Sequence, residues 1–168
     1  MRQVLNELVS LLTEQKAALE SLLELSTEER RVIIDNEPEK LEDIIRLEFK
    51  ELSKLGAIEK KRAALHPEIS KELGVPEGDM SVSAIAARAE PDERDTIRKL
   101  QVELTDLINR HTEMNKENRE LIEAHKEYSD AVLNLLVGSE DPLNNFYGGD
   151  GKATDVRKKT TGFFDGKA

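Results

Sequence analysis

The chain has 168 residues, which suits one domain and leaves little room for two. It contains no cysteine, so disulfides, thiolate catalysis and cysteine-ligated zinc are excluded. Acidic residues outnumber basic ones by 35 to 25, and a net charge of -10 repels phosphate backbones, so no nucleic-acid binding is expected. No apolar run approaches the ~20 residues needed to cross a bilayer, and residues 1–7 lack the apolar core of a secretory signal. A cytoplasmic protein without membrane insertion is expected.

The spacing predicts a first long helix from about residue 2 to 35. Leu5, Leu8, Leu12, Leu19, Leu22 and Ile33 follow a 3-4 seam, interrupted at Gln15, Ser26 and Glu29. Val4, Leu11, Ala18, Leu25 and Val32 widen that seam, and so wide a face packs against two neighbours rather than one. Asn36 is the expected N-cap of a second helix over about 37–65, with Pro38 in its first turn. Leu41, Ile44, Ile45, Leu52, Leu55 and Ile58 are expected to point inward. Gly56 within it reads as a place where two helices approach closely.

Pro67 should stop or bend this helix, and residues 66–90 read as irregular, dense in turn chemistry from Gly74 to Asp79. Ser81 or Ser83 is expected to cap a short helix near Ala84–Ala89. Pro91 then opens a third long helix reaching Val137, with Asp92 and Glu93 in the first turn where they favour the helix dipole. At 1.5 Å per residue that helix is ~70 Å long, longer than the other two, so part of its seam lacks a partner within the chain. The expected architecture is all-α: an elongated antiparallel bundle of three long helices over 1–137, followed by a flexible tail over 138–168. The tail holds five acidic and five basic residues, so the whole negative excess lies in the bundle. Phe146, Tyr147, Phe163 and Phe164 sit in the tail as candidate docking anchors.

No catalytic residue, cofactor or metal site is expected. His111 and His125 share a stripe fourteen residues apart, too far along a helix to hold one metal. Glu-x-x-His is absent, which removes a di-iron bundle. Gly151-Lys152 lacks the first glycine and the following Ser or Thr of a phosphate loop. Asn115 and Asn118 instead introduce polarity into an apolar seam, where such residues select register or partner. They either fix the bundle's own pairing or leave that half of the helix open to a client helix.

Asn115-x-x-Asn118-x-x-Leu121-Ile122 resembles the Asn-x-x-Asn-x-x-Leu-Leu motif on the last helix of FlgN-type flagellar export chaperones. Tyr147-Gly148-Gly149-Asp150-Gly151 is similar to that family's Tyr-Gly-x-Asp-Gly tail motif, and Leu41 to Arg62 resembles its second helix. The resemblance implies a bacterial chaperone that binds the C-terminal helical segments of hook–filament junction proteins of the FlgK and FlgL type. It further implies that the chaperone presents them to the type III export gate. On that reading Asn115, Asn118, Leu121, Ile122, Tyr128, Val132, Leu135 and Leu136 hold the client, the two asparagines setting register. Tyr147 is then the handle for the gate. The alternative is a self-associating coiled-coil scaffold or adaptor whose third helix pairs with itself; homo-oligomers without client are compatible with either reading.

Overall fold

A computed structural model of the chain describes residues 2–76 and 78–138. The described residues form five helices and no strand: α1 (Gln3–Ile34), α2 (Pro38–Ala64), α3 (His66–Leu73), α4 (Val82–Arg88) and α5 (Pro91–Gly138). The chain separates into two compact units, Met1–Lys126 and Glu127–Ala168. In the second unit the described part is the last turns of α5.

Within the first unit, α1 is the helix the others pack around. It buries eleven of its 32 residues, whereas α2 buries two of 27, so α1 supplies the largest share of the core and α2 covers one side of it. This matches the wide apolar face of the sequence. Leu5, Leu8, Leu12 and Leu22 are fully enclosed and join Ile97, Leu100, Leu104 and Leu107 of α5 in one aliphatic cluster. Each such leucine contributes ~1.5–3 kcal/mol relative to leaving it in water. The direction of α5 is fixed at three levels. Arg2 N–H donates to Glu93 Oε1 at 2.8 Å, Lys16 pairs with Glu103 at 2.9 Å, and Arg30 pairs with Glu117. Both numbers of each pair rise together, so α1 and α5 run parallel, and α2 runs back between them in sequence.

The α1–α2 turn differs from expectation. Asn36 is not an N-cap; it takes the left-handed conformation, φ 55°, just past the end of α1. The N–H groups of Asn36 and Glu37 return to the carbonyls of Ile33 and Val32 at 3.2 and 3.1 Å. That is the double closure of a Schellman motif, with asparagine in the place usually taken by glycine. Pro38 stands in the first turn of α2 as expected.

The inward line of α2 is Leu41, Ile44, Glu48, Glu51, Leu55, Ile58, Arg62 and Leu65, each buried or half-buried. Ile45 and Leu52, expected inward, are exposed. Two parallel stripes lie on this helix, and the carboxylates in the true seam disguise it. Gly56 is corrected as well: a Cβ there would meet nothing within 4 Å, so none of the described helices approaches it.

Residues 66–90 carry more order than the turn chemistry implied. Pro67 lies at the start of α3, so α2 stops at Ala64 and a new helix begins one residue later. Gly74 ends α3 at φ 63°, the left-handed position only glycine adopts without cost. Ser81 Oγ accepts from Ala84 N–H at 3.1 Å and caps α4. Ile69, Val75, Ile85 and Ala86 join the main cluster, so this segment closes the core rather than hanging from it. Glu93 then clamps the start of α5, accepting from Glu90 N–H at 3.2 Å while also holding Arg2.

Candidate functional site

Beyond Leu22 and Leu107 the aliphatic core gives way to a polar layer. Ser26 is fully buried and Asn118 is 2% exposed. Asn118 Nδ2 donates to the Ser26 carbonyl at 2.8 Å and to Glu29 Oε2 at 2.7 Å. The Ser26 hydroxyl lies 3.1 Å from both Glu48 Oε1 and Asn115 Oδ1. It has one hydrogen for two acceptors, so only one of these contacts is a hydrogen bond when Glu48 is ionised. Asn115 Nδ2 also lies 3.4 Å from His111 Nε2. One polar residue on α1 thereby locks α2 and α5 into a single register.

Two groups in this layer have displaced titrations. Burial, and then the neighbouring Glu29, pushes the Glu48 carboxyl above its ordinary value. Burial pushes the His111 imidazole down, with Glu29 acting against it. For Glu48 the sign follows from the neutral form being favoured in the fold. Its stabilising contribution is complete below the ordinary value of 4.5 and is lost as pH rises through the raised one. Glu48→Gln is therefore expected to raise the melting midpoint at neutral pH by a few degrees. The gain should vanish below about pH 4.5, where wild-type Glu48 is itself protonated. Melting curves at the two pH values check this; an equal gain at both would assign the effect to packing.

Two surface features flank the polar layer. An open groove of about 380 Å³ is lined by Glu29, Glu48, Asn115, Asn118, Arg119, Ile122 and Glu123. A smaller notch of about 140 Å³ lies at the α1–α2 turn, where Val32, Ile33, Pro38 and Leu41 face Ile122 and His125. Ile122 is thus exposed between a polar groove and an apolar notch, and Leu121 beside it is half-buried. In the second unit the α5 turns carry Tyr128, Val132 and Leu135 at spacings of four and three, along one face. Tyr128 and Leu135 are 72% and 74% exposed, Leu136 is also exposed, and Val132 is half-buried. Apolar side chains at helical spacing and open to water are the pattern of a helix-binding face.

The family model described as FlgN protein matches residues 1–155. This chain belongs to the FlgN family. The family is one of flagellar export chaperones, which bind flagellar export substrates; it is not known as an enzyme family. No curated protein and no solved structure matches the chain. Among the described residues no helix is long and apolar enough to cross a membrane, and no group of three or more His, Cys, Asp or Glu is placed to hold a metal.

Within this FlgN-family fold the eight expected client-binding residues fall into two sets. Asn115 and Asn118 are engaged with α1, so the register they hold is that of the chain itself. Ile122, Tyr128, Leu135 and Leu136 are exposed, with Leu121 and Val132 half-buried beside them. Tyr147 and the other tail aromatics lie outside the described residues. Ser26 and Glu48 were missed as members of the polar layer. The interruption of the α1 seam at Ser26 was the available signal, since a polar residue at a core position needs partners.

Proposed function

We propose that this chain holds the C-terminal helical segments of hook–filament junction proteins, of the FlgK and FlgL type, in the cytoplasm of a bacterium. The exposed face of Tyr128, Val132 and Leu135 on α5 supports this most directly. Such client ends are amphipathic helices whose apolar stripes find cover only when neighbours assemble on them. A complementary stripe on α5 covers them by coiled-coil-like packing, without ATP or an active site. In the first unit Ile122 and its notch offer a separate apolar contact, and Asn115 and Asn118 tie α5 to α1 there. Tyr147 then serves as the handle by which the loaded chaperone meets the type III export gate.

Calorimetric titration of the full chain with a purified junction-protein C-terminal segment tests the first half. Saturable binding is expected, with the negative heat-capacity change of apolar burial. Absence of binding to every junction-protein segment would overturn it. Truncation after Val137 tests the second half. The melting curve should be unchanged and client affinity retained, while export of the client falls. A truncation that lowers the melting midpoint would instead make the tail part of the fold.

A further inference from the structure

We propose that a second copy of this chain docks on α2, antiparallel helix to helix, along Ile45, Phe49, Leu52 and Gly56. The only aromatics among the described residues, Phe49 and Tyr128, are both outside the core, Phe49 being 66% exposed. Tyr128 belongs to the α5 face; Phe49 has no role in the reading above. Ile45 and Leu52 are exposed with it, and the spacings of four, three and four through Gly56 place all four residues on one line. That line is distinct from the seam that faces α1.

Gly56 supplies the shape argument. A helical glycine weakens its helix, and no contact among the described residues explains it here, because a Cβ would meet nothing within 4 Å. A smooth spot on an apolar exposed stripe is a hole for an incoming side chain. In an antiparallel pair centred between Phe49 and Leu52, Ile45 of one copy lies opposite Gly56 of the other, and Phe49 lies opposite Leu52. The stripe is therefore complementary to itself, as a two-fold interface requires.

Charge selects the same partner and direction. Residues 38–51 of α2 carry five acidic and three basic side chains, and residues 52–64 carry one acidic and four basic. Antiparallel copies set the mildly acidic half against the basic half, whereas parallel copies would set the two basic halves together. Glu39 and Lys60, on the same flank of the stripe, carry no ion pair among the described residues and come opposite each other in this register. At the two ends of the stripe Glu42 of one copy meets Glu59 of the other, a like-charge contact that limits the interface. It is moderated because each is paired within its own helix, to Arg46 at 2.6 Å and Arg62 at 2.8 Å. The apolar contact is thus only about three turns long, which makes the dimer weak and concentration-dependent.

Sedimentation equilibrium of the full chain, from micromolar to sub-millimolar concentration, tests this. Wild type should pass from monomer to dimer. Phe49→Glu and Gly56→Gln should each raise the midpoint concentration roughly tenfold or more. Gly56→Gln should at the same time raise the melting midpoint of the dilute chain, since it removes a helical glycine, so a folding defect cannot account for its loss of dimer. Because the chain has no cysteine, direction can be read separately. When Arg46→Cys and Ser53→Cys copies are mixed, the mixed disulfide should form faster than either like-with-like disulfide. A chain that stays monomeric throughout, a dimer indifferent to Phe49→Glu, or preferential like-with-like cross-linking would each overturn the proposal.

Discussion

Asn118→Asp should destabilise the fold at neutral pH by about 3–5 kcal/mol, although it changes neither the size nor the shape of the side chain. The amide nitrogen now donates to the Ser26 carbonyl and to Glu29. A carboxylate would turn both contacts into acceptor against acceptor and add a third negative group beside Glu29 and Glu48. Asn118→Ala removes the same donors without adding charge, and should cost less, about 2–3 kcal/mol. With about 2–4 °C per kcal/mol for a chain of this size, the aspartate variant should melt some 6–20 °C lower. Acidification supplies the control. As the introduced carboxyl and Glu48 take up protons, the aspartate variant should recover toward wild type while the alanine variant does not. Circular-dichroism melting at neutral and acid pH reads both. If the aspartate variant melts with wild type at neutral pH, the polar layer does not hold the register of α1 and α5.

The core of this protein was readable because α1 wears its pattern openly. Leu5, Leu8, Leu12, Leu19 and Leu22 repeat at helical spacing, and Val4, Leu11 and Ala18 beside them announce a second neighbour; all eight are buried. On α2 the same counting went astray. Ile45 and Leu52 satisfy a helical repeat as well as Ile44 and Ile58 do, and the true seam passes through Glu48, Glu51 and Arg62. Periodicity ranks stripes by hydrophobicity, while burial here is decided by which stripe α1 can reach. Helix α3 escaped because eight residues opened by Pro67 contain too few apolar positions, chiefly Ile69 and Leu73, to establish a period. The exposed apolar face of α5 was visible as a seam longer than its partners. The polar layer was not, because Ser26 and Asn118 are 92 residues apart and their pairing exists only after folding.

Leu135→Asp should weaken capture of a junction-protein C-terminal helix by roughly 30- to 1,000-fold, about 2–4 kcal/mol, with no change in the chaperone's own helicity. The asymmetry follows from where the side chain stands in each state. In the free chain Leu135 is 74% exposed, and replacing an exposed helical residue changes stability by about 0.5 kcal/mol or less. In the complex the same position would lie in an apolar seam, where an unpaired carboxylate must be stripped of water. Tyr128→Asp, two helical turns earlier on the same face, should behave alike. Leu133 provides the internal control, because it is also an exposed leucine yet lies roughly 140° around the helix from Tyr128. Leu133→Asp makes the identical chemical change on a different face and should leave client affinity within about twofold. Calorimetry on the purified pairs distinguishes the outcomes. Unaltered affinity in Leu135→Asp would remove the client from this face. An equal loss in Leu133→Asp would show that charge near the end of α5, rather than the Tyr128–Val132–Leu135 stripe, governs capture.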